Sequence, residues 1–369
     1  MNNKNYQTFF DFGFSKVRAS TFNINNNNEV FYFESEFFTD QSNLELKIQK
    51  IIASLEKDTN EYINNINLMI DSSKMLSVGI SLSKRFDGSQ LKQTSIKFLV
   101  QEAKQQILKY YINHNIIHII ISNYKIDGVD YAYLPDEIKC NFISLDILFI
   151  CLPNDLVSNF KEIFSKSNIL VDQIICSSYA RSINYKDSLN LSGYLSFIDI
   201  GFNRTSVISY CNDKILSFNT LPVGGNHITK DISKILEIGL ERAELEKRNL
   251  DQKLKLSNDE DISVKTLQKI VFARTEEILE LCVKSLDLNS YTVDKFKMVL
   301  IGDGSKIIDN QDKNKIPFSN DIDLLDETSE DICQSGFKFI TGLNKQEVVV
   351  VPKRQTKQGF FEKLFHFFK

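Results

Sequence analysis

A duplicated, two-lobed α/β fold is what this sequence predicts, and three observations carry the prediction. The first is a pair of alike stretches, FFDFGFSKVRASTF (residues 9–22) and YLSFIDIGFNRTSVISY (residues 194–210). Each reads as an apolar strand, an Asp-x-Gly turn and a β-branched return strand. The second is their residue-by-residue match: Asp11 with Asp199, Gly13 with Gly201, Phe14 with Phe202, Phe9 with Phe197, and a cation, Lys16 or Arg204, after each turn. The third is their spacing, about half the chain. One Asp-x-Gly turn says little, because turns favour both residues. Two with matching flanks at half-chain spacing imply a repeated domain with a site between the halves.

The turns suit phosphate. Backbone N–H groups in a tight Gly turn form an anion-binding concavity, and Gly lets the main chain come close to a ligand. Ser15 adds a hydroxyl donor, and Lys16 and Arg204 add positive charge. Asp11 and Asp199, facing each other, are the expected holders of a magnesium ion, through water. The competing reading is two plain hairpins whose Asp and Gly only turn the chain.

Composition bounds the rest. The chain has 369 residues, enough for two or more domains, and 42% hydrophobic residues, enough for sizeable cores. A formal net charge of −4 gives no general reason to expect nucleic acid. Six cysteines without a C-x-x-C pair read as reduced, buried thiols. No signal peptide is expected from MNNKNYQTFFDF, and no apolar run is long enough to span a bilayer.

Along the first half, residues 25–28 (NNNN) read as a hairpin turn and 30–33 as the return strand. Ser42 and Glu45 make a capping box, and Leu44, Ile48, Ile51, Ile52 and Leu55 follow helical spacing. Residues 68–70 and 75–82 read as strands, 86–90 as a polar turn, and a long amphipathic helix follows to about residue 111. Strands at 116–122, 131–134 and 146–151 and a helix at 154–165 come next. Residues 79 to about 152 therefore form an α+β module inserted into the first half.

The second half repeats the plan. A third strand covers residues 215–222, and Gly224 and Gly225 precede a helical run at 228–238. Those glycines present N–H groups to an anion or make a plain turn; both readings stand. Glu244 and Lys247 share a helix face at i, i+3, the pattern of a solvated ion pair. Residues 269–287 read as a helix with Ile270, Ala273, Ile278, Leu281 and Leu288 inward and an Arg274–Glu277 pair outward. A strand at 298–303 ends in Gly302 and Gly304, followed by Ser305; it matches neither a P-loop nor a dinucleotide fingerprint. Residues 310–330 read as an acidic surface excursion, 341–346 as an exit from the fold, and 348–351 as a last strand. No zinc spacing, Ser-His-Asp arrangement or nucleophile elbow is present.

The end of the chain stands apart. Residues 352–358 are a polar linker carrying Lys353, Arg354 and Lys357. In GFFEKLFHFFK (residues 359–369) a helix puts Phe360, Phe361, Leu364, Phe365 and Phe368 on one face, the pattern of an interfacial helix at an anionic membrane. The competing reading is a terminal helix docked on the protein's own core.

Together these motifs resemble the actin/Hsp70/sugar-kinase ATPase superfamily and, within it, the FtsA family of bacterial cell-division actin homologues. DFGFSKVRA (residues 11–19) resembles the first phosphate motif and DIGFNRTSV (199–207) the second. LPVGGNHITKDIS (221–233) is similar to the segment that follows in FtsA, AELEK (243–247) to the region beside ribose and base, and VLIGDGSKI (299–307) to the adenosine motif. The chain departs from the pattern at Phe14, Asn203, Arg204 and Asp303. The resemblance covers essentially the whole chain and implies an actin-like (ribonuclease-H-like) fold. Subdomain 1A is expected at 1–78 and 157–192, an inserted SHS2-type subdomain 1C at 79–156, subdomain 2A at 193–225 and 298–345, and 2B at 226–297. A linker at 346–358 and a membrane-targeting helix at 359–369 complete the expected plan.

It further implies ATP and Mg2+ between the lobes. The nucleotide would be held by Asp11, Gly13, Ser15, Lys16, Asp199, Gly201, Asn203, Arg204, Thr205, Gly224, Gly225, Glu244, Lys247, Gly302, Gly304 and Ser305, with Arg204 as a charge clamp on phosphate. The implied protein is a filament-forming scaffold rather than an enzyme. It would sit peripherally on the cytoplasmic face of the inner membrane at the division site, bind the C-terminal peptide of FtsZ on residues 226–297 and meet other division proteins through 1C. A PilM-like pilus-assembly adaptor and an active ATPase or kinase of the same fold are the alternatives.

Overall fold

The structure, a computed structural model, describes residues 5–25, 30–36, 44–135, 138–212, 214–250, 262–286, 297–308 and 322–342. Its first half runs β1 (Tyr6–Phe12), β2 (Lys16–Asn23), β3 (Val30–Glu36), α1 (Leu44–Thr59) and β4 (Asn65–Ile70). An inserted module follows: β5 (Leu76–Gln90), α2 (Gln93–Tyr110), β6 (His114–Ile126), β7 (Val129–Tyr131) and β8 (Lys139–Pro153). The half then resumes with α3 (Asn154–Ser165), β9 (Leu170–Cys176) and α4 (Ser177–Ser188). The second half contains β10 (Tyr194–Ile200), β11 (Thr205–Cys211), β12 (Lys214–Leu221), α5 (Gly225–Ile235), α6 (Leu240–Arg248) and α7 (Ile262–Ser285). β13 (Lys297–Ile301), a 3-10 turn (Asp303–Ile307), β14 (Ile322–Leu324) and α8 (Ser329–Thr341) end it.

The duplication is explicit in the sheets. The first has the order β3-β2-β1-β4-β9 and the second β12-β11-β10-β13-β14, the same topology twice. In each, the first three strands are antiparallel and the last two join in parallel. β1 and β10 are the central strands, and their near-continuous apolar runs reflect cover on both faces. Phe9 and Phe10, neighbours pointing to opposite faces, are both fully buried.

Helices close the layers by the same logic. Ile48, Ile51, Ile52 and Leu55 of α1 are buried at helical spacing against the first sheet. α8 starts from a reciprocal cap: the Thr328 hydroxyl accepts from the Asp331 N–H at 3.1 Å, and the Asp331 carboxylate accepts from the Thr328 N–H at 2.9 Å. This helix crosses back onto the first half, stacking Phe337 on Phe22 with ring centroids 4.8 Å apart. Gly336 permits that approach, since a Cβ there would lie 2.4 Å from the Met69 sulfur and 3.0 Å from Phe9. Gly336→Val is therefore expected to destabilise the fold by about 1–3 kcal/mol through overpacking, read as a lower urea midpoint; an unchanged midpoint would refute the close packing.

One apolar cluster joins the halves, with Phe10, Leu68 and Ile70 from the first sheet and Phe197, Ile208, Val299 and Ile301 from the second. The inserted module has a core of its own, α2 packed on the sheet β5-β8-β6-β7.

Several expectations need correction. The turn at 86–90 is a bulge inside β5, with Asp87 and Gly88 at positive φ, because β8 keeps pairing on both sides of it. The strand expected at 131–134 lies at Val129–Tyr131. In α7, Ile270 and Ile278 are buried as expected and Leu281 packs half-buried on the core, but Ala273 is exposed, and Val271, Leu279 and Cys282 widen the inward face. Within the acidic stretch 310–330, Ile322 is buried in a paired strand and Glu327 is buried as well. Helices α4 and α8 were not anticipated. Among the described residues all six cysteines are free, and no helix is long and apolar enough to cross a membrane. Ser42, Leu288, the strand at 348–351, the linker and the amphipathic tail lie outside the described residues.

Candidate functional site

The two Asp-x-Gly turns are built alike. Asp11 and Asp199 sit near the ends of β1 and β10, and each turn closes with one backbone bond, Gly13 N–H to the Lys16 carbonyl and Gly201 N–H to the Arg204 carbonyl, both 2.9 Å. The N-terminus of α5 docks on the second turn. Gly225 N–H donates to the Gly201 carbonyl at 2.9 Å and Asn226 N–H to the Phe202 carbonyl at 2.8 Å. A Cβ on Gly224 would lie 2.4 Å from the Gly201 oxygen, so only glycine fits. Gly302, at the end of β13, has φ 88°, and a Cβ there would lie 2.3 Å from an Asp199 carboxylate oxygen. That position needs glycine for conformation and for space.

Between the halves lies a cavity of about 290 Å³. Of the expected ligand residues, Ser15, Lys16, Gly201, Gly225, Glu244, Lys247 and Gly304 line it. Phe202, Arg248, Leu250, Asp303, Lys306 and Ile307 complete the wall. A narrower space of about 70 Å³ adjoins it, with Asp11, Gly13, Asp199, Arg204 and Gly302 on its walls. Asn203, Thr205, Gly224 and Ser305 line neither. Asn203 accepts from the Asn226 side chain at 2.9 Å, and the Thr205 and Ser305 hydroxyls donate to the carbonyls of Val223 at 2.8 Å and Gly302 at 2.7 Å.

Glu244 and Lys247 are buried, where a solvated pair was the local reading. Lys247 Nζ lies 2.5 Å from the Glu244 carboxylate, 2.8 Å from the Thr229 hydroxyl and 3.0 Å from the Gly225 carbonyl. α6 thus packs its pair against the start of α5, which the spacing within α6 does not encode. Burial pushes the Glu244 carboxyl up, but Lys247, Thr229 and Arg248 outweigh it and hold it below its ordinary value. A depressed carboxyl contributes stability that is present above the unfolded-state value and lost as pH falls through the folded one. Comparing wild type with Glu244→Gln by urea unfolding from pH 6 to pH 3 should show the wild-type advantage shrinking below about pH 4.5; a constant difference would contradict the shift.

The floor of the cleft is a buried ion network. Arg18 donates to Asp11 at 3.1 Å and reaches Asp303. Arg181 holds both oxygens of Glu327, at 3.1 and 2.9 Å, and the Asp199 carboxylate. Arg204 pairs with Asp71 and, at 2.7 Å, with Asp199, and donates to the Asp199 carbonyl at 3.1 Å. Its guanidinium is therefore spent on carboxylates and does not open toward a phosphate. Asp11 and Asp71 have further donors: Ser177 donates to Asp11 at 2.6 Å, and the Ser178 N–H and hydroxyl donate to Asp71 at 3.0 and 3.1 Å. Burial pushes Asp71 above the usual carboxylate value and Asp199 adds to it, against Arg204.

These carboxylates do not fit the expected Mg2+. Magnesium needs near-octahedral oxygen ligands at about 2.0–2.1 Å, and Ser177, Arg18, Arg181 and Arg204 already take both oxygens of Asp11 and one of Asp199. Among the described residues no group of three or more His, Cys, Asp or Glu side chains is arranged to hold a metal ion. Sequence reasoning missed Arg18, Asp71, Arg181 and Glu327. Only Arg18 carried a signal, since hairpin register puts it directly opposite Asp11.

Two sheets of identical topology facing across a cleft, each central strand ending in an Asp-x-Gly turn, define an actin-like ATPase fold. Similar solved structures include the PilM–PilN type IV pilus biogenesis complex (TM-score 0.62, 12% identity, 90% of this chain and 95% of that one). The ethanolamine utilization protein EutJ of Carboxydothermus hydrogenoformans is another (TM-score 0.50, 8% identity, 90% and 89%). By sequence the chain is similar to the cell division protein FtsA, whose family model matches residues 196–322. It is 26% identical to FtsA of Buchnera aphidicola from Schizaphis graminum over 53% of this chain and 49% of that protein. Against FtsA of Agrobacterium fabrum the identity is 19% over 74% and 65%, and against that of Bacillus subtilis 28% over 46% and 42%. The aligned part spans between about two fifths and two thirds of these relatives.

Proposed function

We propose that this chain is an FtsA-type cell-division scaffold. It binds a nucleotide between its lobes, assembles with copies of itself, and tethers FtsZ polymers to the cytoplasmic face of the inner membrane at the division site. The observation that carries this reading is the FtsA match over 196–322, a segment that includes Gly201, Gly225, Glu244, Lys247 and Gly304 of the cavity wall. Ser15 and Lys16 supply the wall's donors from the other half. On this reading the FtsZ C-terminal peptide docks on residues 226–297, other division proteins meet residues 79–156, and no catalytic base is required of the chain.

The test has two parts. A tagged copy is expected at mid-cell, and the FtsZ C-terminal peptide is expected to cross-link to residues 226–297; a diffuse protein that leaves FtsZ peptide unbound would sink the scaffold reading. Calorimetry is expected to show ATP or ADP binding that Lys247→Ala weakens about tenfold or more, as loss of a buried charge-assisted bond would. No heat at millimolar nucleotide would remove the ligand from the proposal. The PilM-like reading has one observation in its favour, the TM-score of 0.62 over 90% of the chain. Mid-cell recruitment and FtsZ binding separate the two.

A further inference from the structure

The ion network on the cleft floor is drawn from both halves, and its pairing is reciprocal. Arg18 on β2 and Arg181 on α4 belong to the first half and reach Asp303 and Asp199 of the second. Arg204 belongs to the second half and reaches Asp71 at the end of β4 in the first. Arg181 also holds Glu327, just ahead of α8, at 2.9 Å. The side chains of Arg18, Arg181, Arg204, Asp11, Asp71 and Asp199 are all at least nine-tenths shielded from solvent. Bonds of this kind, charged at both ends and out of water, are strong and strongly directional.

We propose that these three guanidinium groups replace a divalent cation: they latch the two halves across the cleft by themselves, and the cleft floor takes no Mg2+. Two observations converge on it. The oxygens a metal would use are occupied, since both Asp11 oxygens and the outward Asp199 oxygen already accept from Ser177, Arg18, Arg181 and Arg204. The other Asp199 oxygen faces Gly302 so closely that no Cβ fits between them. A cation placed there would also meet three fixed positive charges within a few ångströms, in a medium that screens them poorly. The Asp11–Asp199 pair, which its matched turns present as a metal holder, is thus internally neutralised. Closure of the halves is then a property of the chain and does not wait on a metal-bound ligand.

The test uses the full chain without nucleotide, so it stands apart from the nucleotide reading. Mn2+ is titrated into wild type and into Arg181→Gln/Arg204→Thr, with free Mn2+ read by electron paramagnetic resonance. The variant, whose Asp71 and Asp199 lose their guanidinium partners, is expected to bind one more Mn2+ per chain than wild type. Its thermal midpoint should rise with millimolar Mg2+ while that of wild type stays level. Equal Mn2+ counts in the two proteins, with the variant folded, overturn the proposal. If the variant does not fold, wild type alone decides: a midpoint unchanged between EDTA and 10 mM Mg2+ supports the latch, and a rise of about 2 °C or more overturns it.

Discussion

Arg181→Met is expected to cost the fold about 3–5 kcal/mol, the usual penalty for removing one partner from a buried ion pair. The guanidinium spans three structural units: it leaves α4, takes both oxygens of Glu327 ahead of α8 and reaches Asp199 at the end of β10. Methionine fills similar volume, so little of the loss comes from a cavity. Nearly all of it comes from two buried carboxylates, Glu327 and Asp199, that lose a charged partner. Arg181→Lys should rescue poorly, because an ammonium cannot span Glu327 and Asp199 with a planar fork. The measurement is urea unfolding of both variants, with Glu327→Gln added to Arg181→Met to close a double-mutant cycle. A coupling near zero would mean that the two side chains act independently and that the network is not the clamp its geometry describes.

The network also marks where sequence reading stops. The repeat was legible because it is local: strand, turn and strand within seventeen residues, twice, with matching residues at matching offsets. The inserted module was legible for the same reason, and its sheet and helix occupy Leu76–Pro153 against an expected 79–152. Helix α4 was not, because SSYARSINYKDS carries little apolar periodicity. Its first half, residues 177–182, is buried all the same, since its small residues are satisfied one by one, Ser177 on Asp11, Ser178 on Asp71 and Ser182 on the Tyr210 hydroxyl at 2.7 Å. Arg181 on that helix meets Glu327 across 146 positions, and no local pattern announces such a pair. Glu244 and Lys247 show the converse. Their spacing was plain in the sequence, but their burial depends on Thr229 and Gly225 of another helix. Periodicity gives neighbours along one element; which element covers them is decided by tertiary packing.

Removing residues 359–369 is expected to release the protein from membranes while leaving the described fold intact. In the proposed scaffold this stretch is the anchor, and its sequence sets the size of the effect. On a helix, Phe360, Phe361, Leu364, Phe365 and Phe368 would share one face, and each would be worth about 1.5–3 kcal/mol when fully buried. Insertion to the headgroup boundary recovers part of that, less the cost of ordering a helix too short to be stable in water. Lys353, Arg354 and Lys357 add about 1 kcal/mol each near an anionic leaflet. A single copy is therefore expected to bind reversibly, and a row of copies along a filament to bind firmly through avidity. Phe361→Glu with Phe365→Glu keeps the chain length and should abolish binding as deletion does, since two charges then face the acyl region. Sedimentation with anionic vesicles at low and at physiological salt separates the contributions, because added salt weakens the basic flank and not the phenylalanine face. Deletion that leaves pelleting unchanged would show that the anchor lies elsewhere. Deletion that lowers the unfolding midpoint would show instead that those phenylalanines pack on the protein's own core.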